Sequence, residues 1–96
     1  MARARMTMVF SYDVSDNRRR RRVARLLEAR MARVQKSVFE ARLSARAADA
    51  LAAAVEKELG PGDTLRVYAV SADGLKRSAS LGSGAPILGD EDYWLL

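Results

Sequence analysis

Apolar residues recur at every second position near the start of the chain. From Met6 to Tyr12, Met8, Phe10 and Tyr12 share one face while Val9, Ser11 and Asp13 share the other, which predicts a strand. Residues 13–17 are turn and capping types, with Ser15 or Asp16 placed to cap a helix. The period then lengthens to three and four: Val23, Leu26, Leu27 and Met31 stripe a helix over residues 18–32. Residues 33–43 return to alternation, Val34, Lys36 and Val38 against Arg33, Gln35, Ser37 and Phe39. No Gly, Pro or Asn breaks this run, so the pattern alone predicts one strand.

Ser44 caps a second helix over residues 45–59, striped by Ala48, Leu51, Ala52, Val55 and Leu59 and stopped by Gly60-Pro61-Gly62. Residues 64–71 alternate as a strand. Ala72-Asp73-Gly74 reads as a turn, and a weaker strand is expected over residues 75–81, interrupted by Arg77. A loop over residues 82–86 follows. The chain ends in an apolar Tyr93-Trp94-Leu95-Leu96, expected to dock on its own sheet or on a partner. Two helices between strand segments predict an α+β sandwich with both helices on one sheet face, leaving the other face for a second subunit. At 96 residues the chain has room for one thin core, which also favours a dimer.

Charge changes the picture. Residues 1–42 hold 12 Lys/Arg against 4 Asp/Glu, a net of +8, whereas residues 43–96 hold 5 against 8, a net of −3. A basic half joined to a mildly acidic half resembles a nucleic-acid footprint on one side. Five consecutive arginines, Arg18 to Arg22, open the first helix, where positive charge opposes the macrodipole; an external anion would offset that cost. With neither cysteine nor histidine, disulfides, thiol nucleophiles and the common zinc sites are excluded, and chemistry falls to carboxylates, hydroxyls, cations and a bound metal. No apolar run approaches the ~20 residues that span a bilayer, so a cytoplasmic protein is expected.

Asp13 ends the first strand a few residues before the arginines. Its carboxylate suits a hard cation such as Mg²⁺, and the arginines suit phosphate. Taken alone, an aspartate here is more often a turn or capping residue than a ligand. Asp16 fits a helix cap better than a second ligand, and Tyr12 and Phe39 fit packing better than base stacking. Asp90, Glu91 and Asp92 fit a solvated acidic loop or a contact for basic residues of a partner.

Residues 9–16, Val-Phe-Ser-Tyr-Asp-Val-Ser-Asp, followed by a basic helix and then Arg33-Val-Gln-Lys-Ser-Val-Phe-Glu40, resemble the second core CRISPR adaptation protein family over essentially the whole chain. The resemblance implies a homodimeric, ferredoxin-like βαββαβ domain over residues 1–81, with a C-terminal loop and strand over residues 82–96. It implies a metal-dependent endonuclease of RNA or DNA that partners the CRISPR integrase. Asp13 falls on the family's metal-holding, catalytic aspartate, paired with its twin across the dimer and binding Mg²⁺ or Mn²⁺. Arg20, Arg22 and Arg33 fall on nucleic-acid-binding positions, with Tyr12, Gln35, Ser37 and Phe39 as the supporting motif. It also splits residues 33–43 into two strands, against the pattern. The arginine run is denser than the family motif, which leaves Arg18, Arg19 and Arg21 without a role. Without a histidine, cleavage would use water activated by the cation. The alternatives are a non-catalytic DNA scaffold and a ferredoxin-like toxin-type ribonuclease unrelated to CRISPR.

Overall fold

The computed structural model describes residues 4–84 and 87, which form β1 (Arg5–Asp13), α1 (Asn17–Glu28), β2 (Ala32–Gln35), β3 (Val38–Ser44), α2 (Ala45–Glu56), β4 (Thr64–Val70) and α3 (Ala72–Arg77). β1 lies in the sheet interior, antiparallel to β3 on one side and β4 on the other, and β2 extends the sheet beyond β3 in the order β2-β3-β1-β4. This is the ferredoxin-like βαββαβ arrangement that the resemblance implied.

The register explains why the alternating pattern works. Phe10 lies opposite Phe39 on one side and Val67 on the other, so large apolar residues share a row. Met8, Phe10 and Tyr12 from β1, with Phe39, Ala41 and Leu43 from β3, are buried against Val23, Ala24 and Leu27 of α1 and Ala48, Leu51 and Val55 of α2. Each fully buried Phe contributes about 1.5–3 kcal/mol, enough to fix which face of the sheet the helices cover. Asp16 caps α1 by accepting from the Arg19 N–H at 2.9 Å, and Ser44 caps α2 by accepting from the Ala47 N–H at 3.1 Å. β3 therefore passes straight into α2 without a loop.

Two expectations from the pattern fail. Residues 33–43 are not one strand: Lys36 and Ser37 turn the chain between β2 and β3, with a register shift between Arg33 and Gln35. No residue there adopts positive φ, so glycine or asparagine is not required. Tyr12 holds the turn instead, its N–H donating to the Ser37 carbonyl at 3.1 Å and its hydroxyl to the Lys36 carbonyl at 3.3 Å. Tyr12→Phe is expected to cost about 0.5–1 kcal/mol, roughly 2–8 °C in Tm, measured by thermal melting; an unchanged Tm would show that the hydroxyl does not support the turn.

The turn at Ala72-Asp73-Gly74 and the strand over residues 75–81 are replaced by α3 and an irregular segment. The Ser71 hydroxyl caps α3 from the Gly74 N–H at 3.0 Å, with Asp73 in the first turn and Lys76 and Arg77 in the last. Those charges suit the macrodipole, and the segment has no β-branched residue to favour a strand. Both helices also stop earlier than expected, at Glu28 and Glu56. The expected terminal strand at residues 93–96 and the acidic residues 90–92 lie outside the described residues. Among the described residues no helix is long and apolar enough to cross a membrane.

Candidate nucleic-acid interface

The two sequence motifs meet at one end of the sheet. β1 delivers Asp13, α1 delivers Arg20 and Arg21, β2 delivers Arg33, and the β2–β3 turn delivers Lys36 and Ser37 around an open cavity of ≈ 640 Å³. Four cations thus face one carboxylate. Asp13 itself is exposed. Tyr12 and Phe39 lie beneath as packing residues, their rings stacked with centroids 6.2 Å apart, and the Arg33 guanidinium sits 5.1 Å from the centre of the Phe39 ring. That contact pre-orients Arg33 without neutralising it.

The arginine run divides into distinct environments. Arg19 pairs with Asp63 at 2.8 Å and Arg22 with Glu58 at 2.6 Å. Arg20 donates to the Val14 carbonyl at 2.9 Å and also meets the Asn17 side-chain oxygen, bracing the loop after Asp13 while keeping its net charge. Arg18 and Arg21 are exposed, and among the described residues neither has a carboxylate partner. Of the expected site residues, Asp13, Tyr12, Arg20, Arg33 and Ser37 converge on the cavity, with Phe39 under Arg33. Arg22 and Gln35 do not. Arg22 points to α2's end, and Gln35 lines a separate groove with Val34, Val38 and Glu40. Arg21 and Lys36 are the additions. Lys36 reaches the cavity from the β2–β3 turn, which the alternating pattern does not show.

Nothing in the sequence pattern marks Asp63, which follows Gly60-Pro61-Gly62. Its side chain is 1% exposed and accepts from Arg19 Nε, the Gly60 N–H at 2.8 Å and the Ser15 N–H at 3.3 Å. The Arg19 guanidinium first, then the Gly60 N–H, hold its carboxyl down to about 2 from an ordinary 3.8. A depressed folded-state pKa gives stability that is present above the unfolded value and lost as pH falls through the folded one. Denaturant midpoints should therefore fall between about pH 4 and pH 2, and less steeply in Asp63→Asn; equal acid limbs would dismiss the Asp63 contribution.

The donor set suits a hard cation in kind but not in number. One chain offers the Asp13 carboxylate, and among the described residues no three acidic side chains converge. Mg²⁺ commonly takes one or two protein carboxylates and completes its shell with water and phosphate.

The family model for CRISPR associated protein Cas2 matches residues 6–77. The chain is 38% identical over 81 residues to a CRISPR-associated endoribonuclease Cas2 of Chloroflexus aurantiacus, covering 83% of this chain and 87% of the relative. Among solved structures it is similar to Streptococcus pyogenes Cas2, with a TM-score of 0.68 and 26% identity over 80% of this chain and all of that one. It is also similar to a chain of a partial Cas6-RT-Cas1–Cas2 complex, with a TM-score of 0.71 and 26% identity over 88% and 92% of the two chains.

Proposed function

Because the chain belongs to the CRISPR-associated Cas2 family, we propose that this CRISPR adaptation protein grips a nucleic-acid backbone in the Asp13 cavity and cleaves it with a divalent metal. The observation that carries this reading is the convergence of Asp13 with Arg20, Arg21, Arg33 and Lys36. The cations would neutralise phosphates on either side of the scissile bond and orient it, with no contact to base edges. Arg20 would fix the loop that carries Asp13, and Arg33 would enter already oriented by Phe39. Asp13 would hold Mg²⁺ or Mn²⁺ jointly with Asp13 of a second copy. When bound, that cation lowers the pKa of its water and stabilises charge on the phosphate. The endoribonuclease names of the relatives support RNA as one substrate.

A homodimer is part of this reading. On the sheet face away from α1 and α2, Tyr68 is 48% exposed, and Glu40 Oε1 is buried with no hydrogen-bond partner among the described residues, an oxygen that a donor from a second copy would satisfy. The structural neighbour found with Cas1 supports a partnership with the CRISPR integrase. The surplus of cations over carboxylates favours a second role as a scaffold that holds duplex DNA for that partner.

The test is cleavage of RNA and duplex DNA by purified protein with Mg²⁺, Mn²⁺ or chelator. Cation-dependent cleavage supports the enzyme. Salt-sensitive duplex binding without cleavage leaves only the scaffold, and the absence of both cleavage and binding overturns the reading.

A further inference from the structure

We infer that Asp63 sorts the arginine run, withholding Arg19 from the nucleic-acid backbone so that phosphate meets Arg20, Arg21, Arg33 and Lys36; this rests on the phosphate-binding reading above. Asp63 draws donors from three separate segments: Arg19 Nε in the first turn of α1, the Gly60 N–H in the turn before β4, and the Ser15 N–H in the loop after Asp13. A guanidinium engaged by a carboxylate that is 1% exposed has little net charge left to offer. The latch also lies next to the site, because β4 begins at Thr64, which pairs with Asp13 in the sheet register. Space for it is specific. A Cβ on Gly60 would stand 2.7 Å from Arg19 Cζ and 2.9 Å from Nε, so an alanine there would push the guanidinium from its present place across this turn.

Asp63 is thus a positioning residue with two linked effects. It keeps the count of phosphate-binding cations one lower than the sequence suggests. It also fixes the Ser15 end of the loop while Arg20 fixes the Val14 carbonyl, so the segment leaving Asp13 is held from both sides. Removing the carboxylate should release Arg19 toward the same anionic surface. Binding to a backbone would then become tighter and more salt-sensitive, the reverse of what simple loosening of the fold would do.

The experiment measures affinity for a short mixed-sequence DNA duplex against salt for wild type, Asp63→Asn, Gly60→Ala and the double variant Asp63→Asn with Arg19→Ala. Each added phosphate contact steepens the log–log slope by about 0.9 on duplex DNA. Asp63→Asn is expected to steepen it by about that amount and to bind several-fold tighter at low salt. The double variant should return to the wild-type slope. Gly60→Ala leaves Asp63 in place but displaces Arg19, so it should move the slope in the same direction, and it decides the matter if Asp63→Asn does not fold. A wild-type slope in folded Asp63→Asn, or a steep slope that persists without Arg19, overturns the proposal alone. A wild type whose binding ignores salt overturns the phosphate-binding reading and this proposal with it.

Discussion

Asp13→Asn is expected to abolish metal-dependent cleavage while leaving the protein folded. Asparagine preserves the shape and loses the charge that holds the cation. A catalytic cation supplies several kcal/mol of stabilisation and each ~1.4 kcal/mol is tenfold in rate, so the loss should be about a hundredfold or more. The described residues offer no nearby acidic cluster to take over. Stability should stay within about 0.5 kcal/mol, as for other exposed positions away from caps and networks, because Asp13 is exposed at the end of β1. Cleavage assays with Mg²⁺ and Mn²⁺, beside circular dichroism and a thermal melt, separate the two effects. Undiminished cleavage by the variant would remove Asp13 from the chemistry.

Much of the fold was legible because burial enforces periodicity. β1 shows period two since only one face meets the helices, and the caps at Asp16 and Ser44 are side chains doing local work that sequence records directly. The failures share a different cause. The β2–β3 turn needs no Gly, Pro or Asn because its carbonyls are satisfied from β1 by Tyr12, whose hydroxyl donates to a carbonyl 24 residues away. α3 reads in the sequence as a turn over residues 72–74 and the start of a weak strand, because six residues are too few to show a helical period, and its information lies in the Ser71 cap and the end charges.

The candidate site was legible in type and less so in membership. A carboxylate beside a basic run marks one end of the first strand in the sequence itself. Which arginine faces the cavity depends on the helix phase and on acids far along the chain. Glu58 draws Arg22 away and Asp63 draws Arg19 away, across 36 and 44 residues. Five identical neighbours cannot reveal that division. Lys36 entered the site only through the turn that the pattern concealed, and Gln35 left it for the other side of the strand.

That division has a measurable consequence for binding. Replacing Arg21, Arg33 and Lys36 together by glutamine should weaken all duplexes alike, because phosphate contacts carry no sequence information. With about four contacts at 0.9 each, a fourfold rise in salt costs the wild type roughly 150-fold in affinity; with one contact left, the cost is roughly fourfold. Arg33 has a further share, since its guanidinium lies over the Phe39 ring. Arg33→Lys should therefore keep most of the salt slope but lose some affinity, the planar stack being worth about 0.5–1 kcal/mol at an exposed site. Arg22 provides the contrast. It is the arginine next to Arg21, yet it is paired with Glu58 outside the cavity. Arg22→Gln should accordingly move the slope much less than Arg21→Gln. Filter-binding or anisotropy titrations over a range of salt would rank the two. If Arg22 proves as costly as Arg21, the backbone runs along the helix rather than through the cavity, and the assignment of the cavity as the binding site fails.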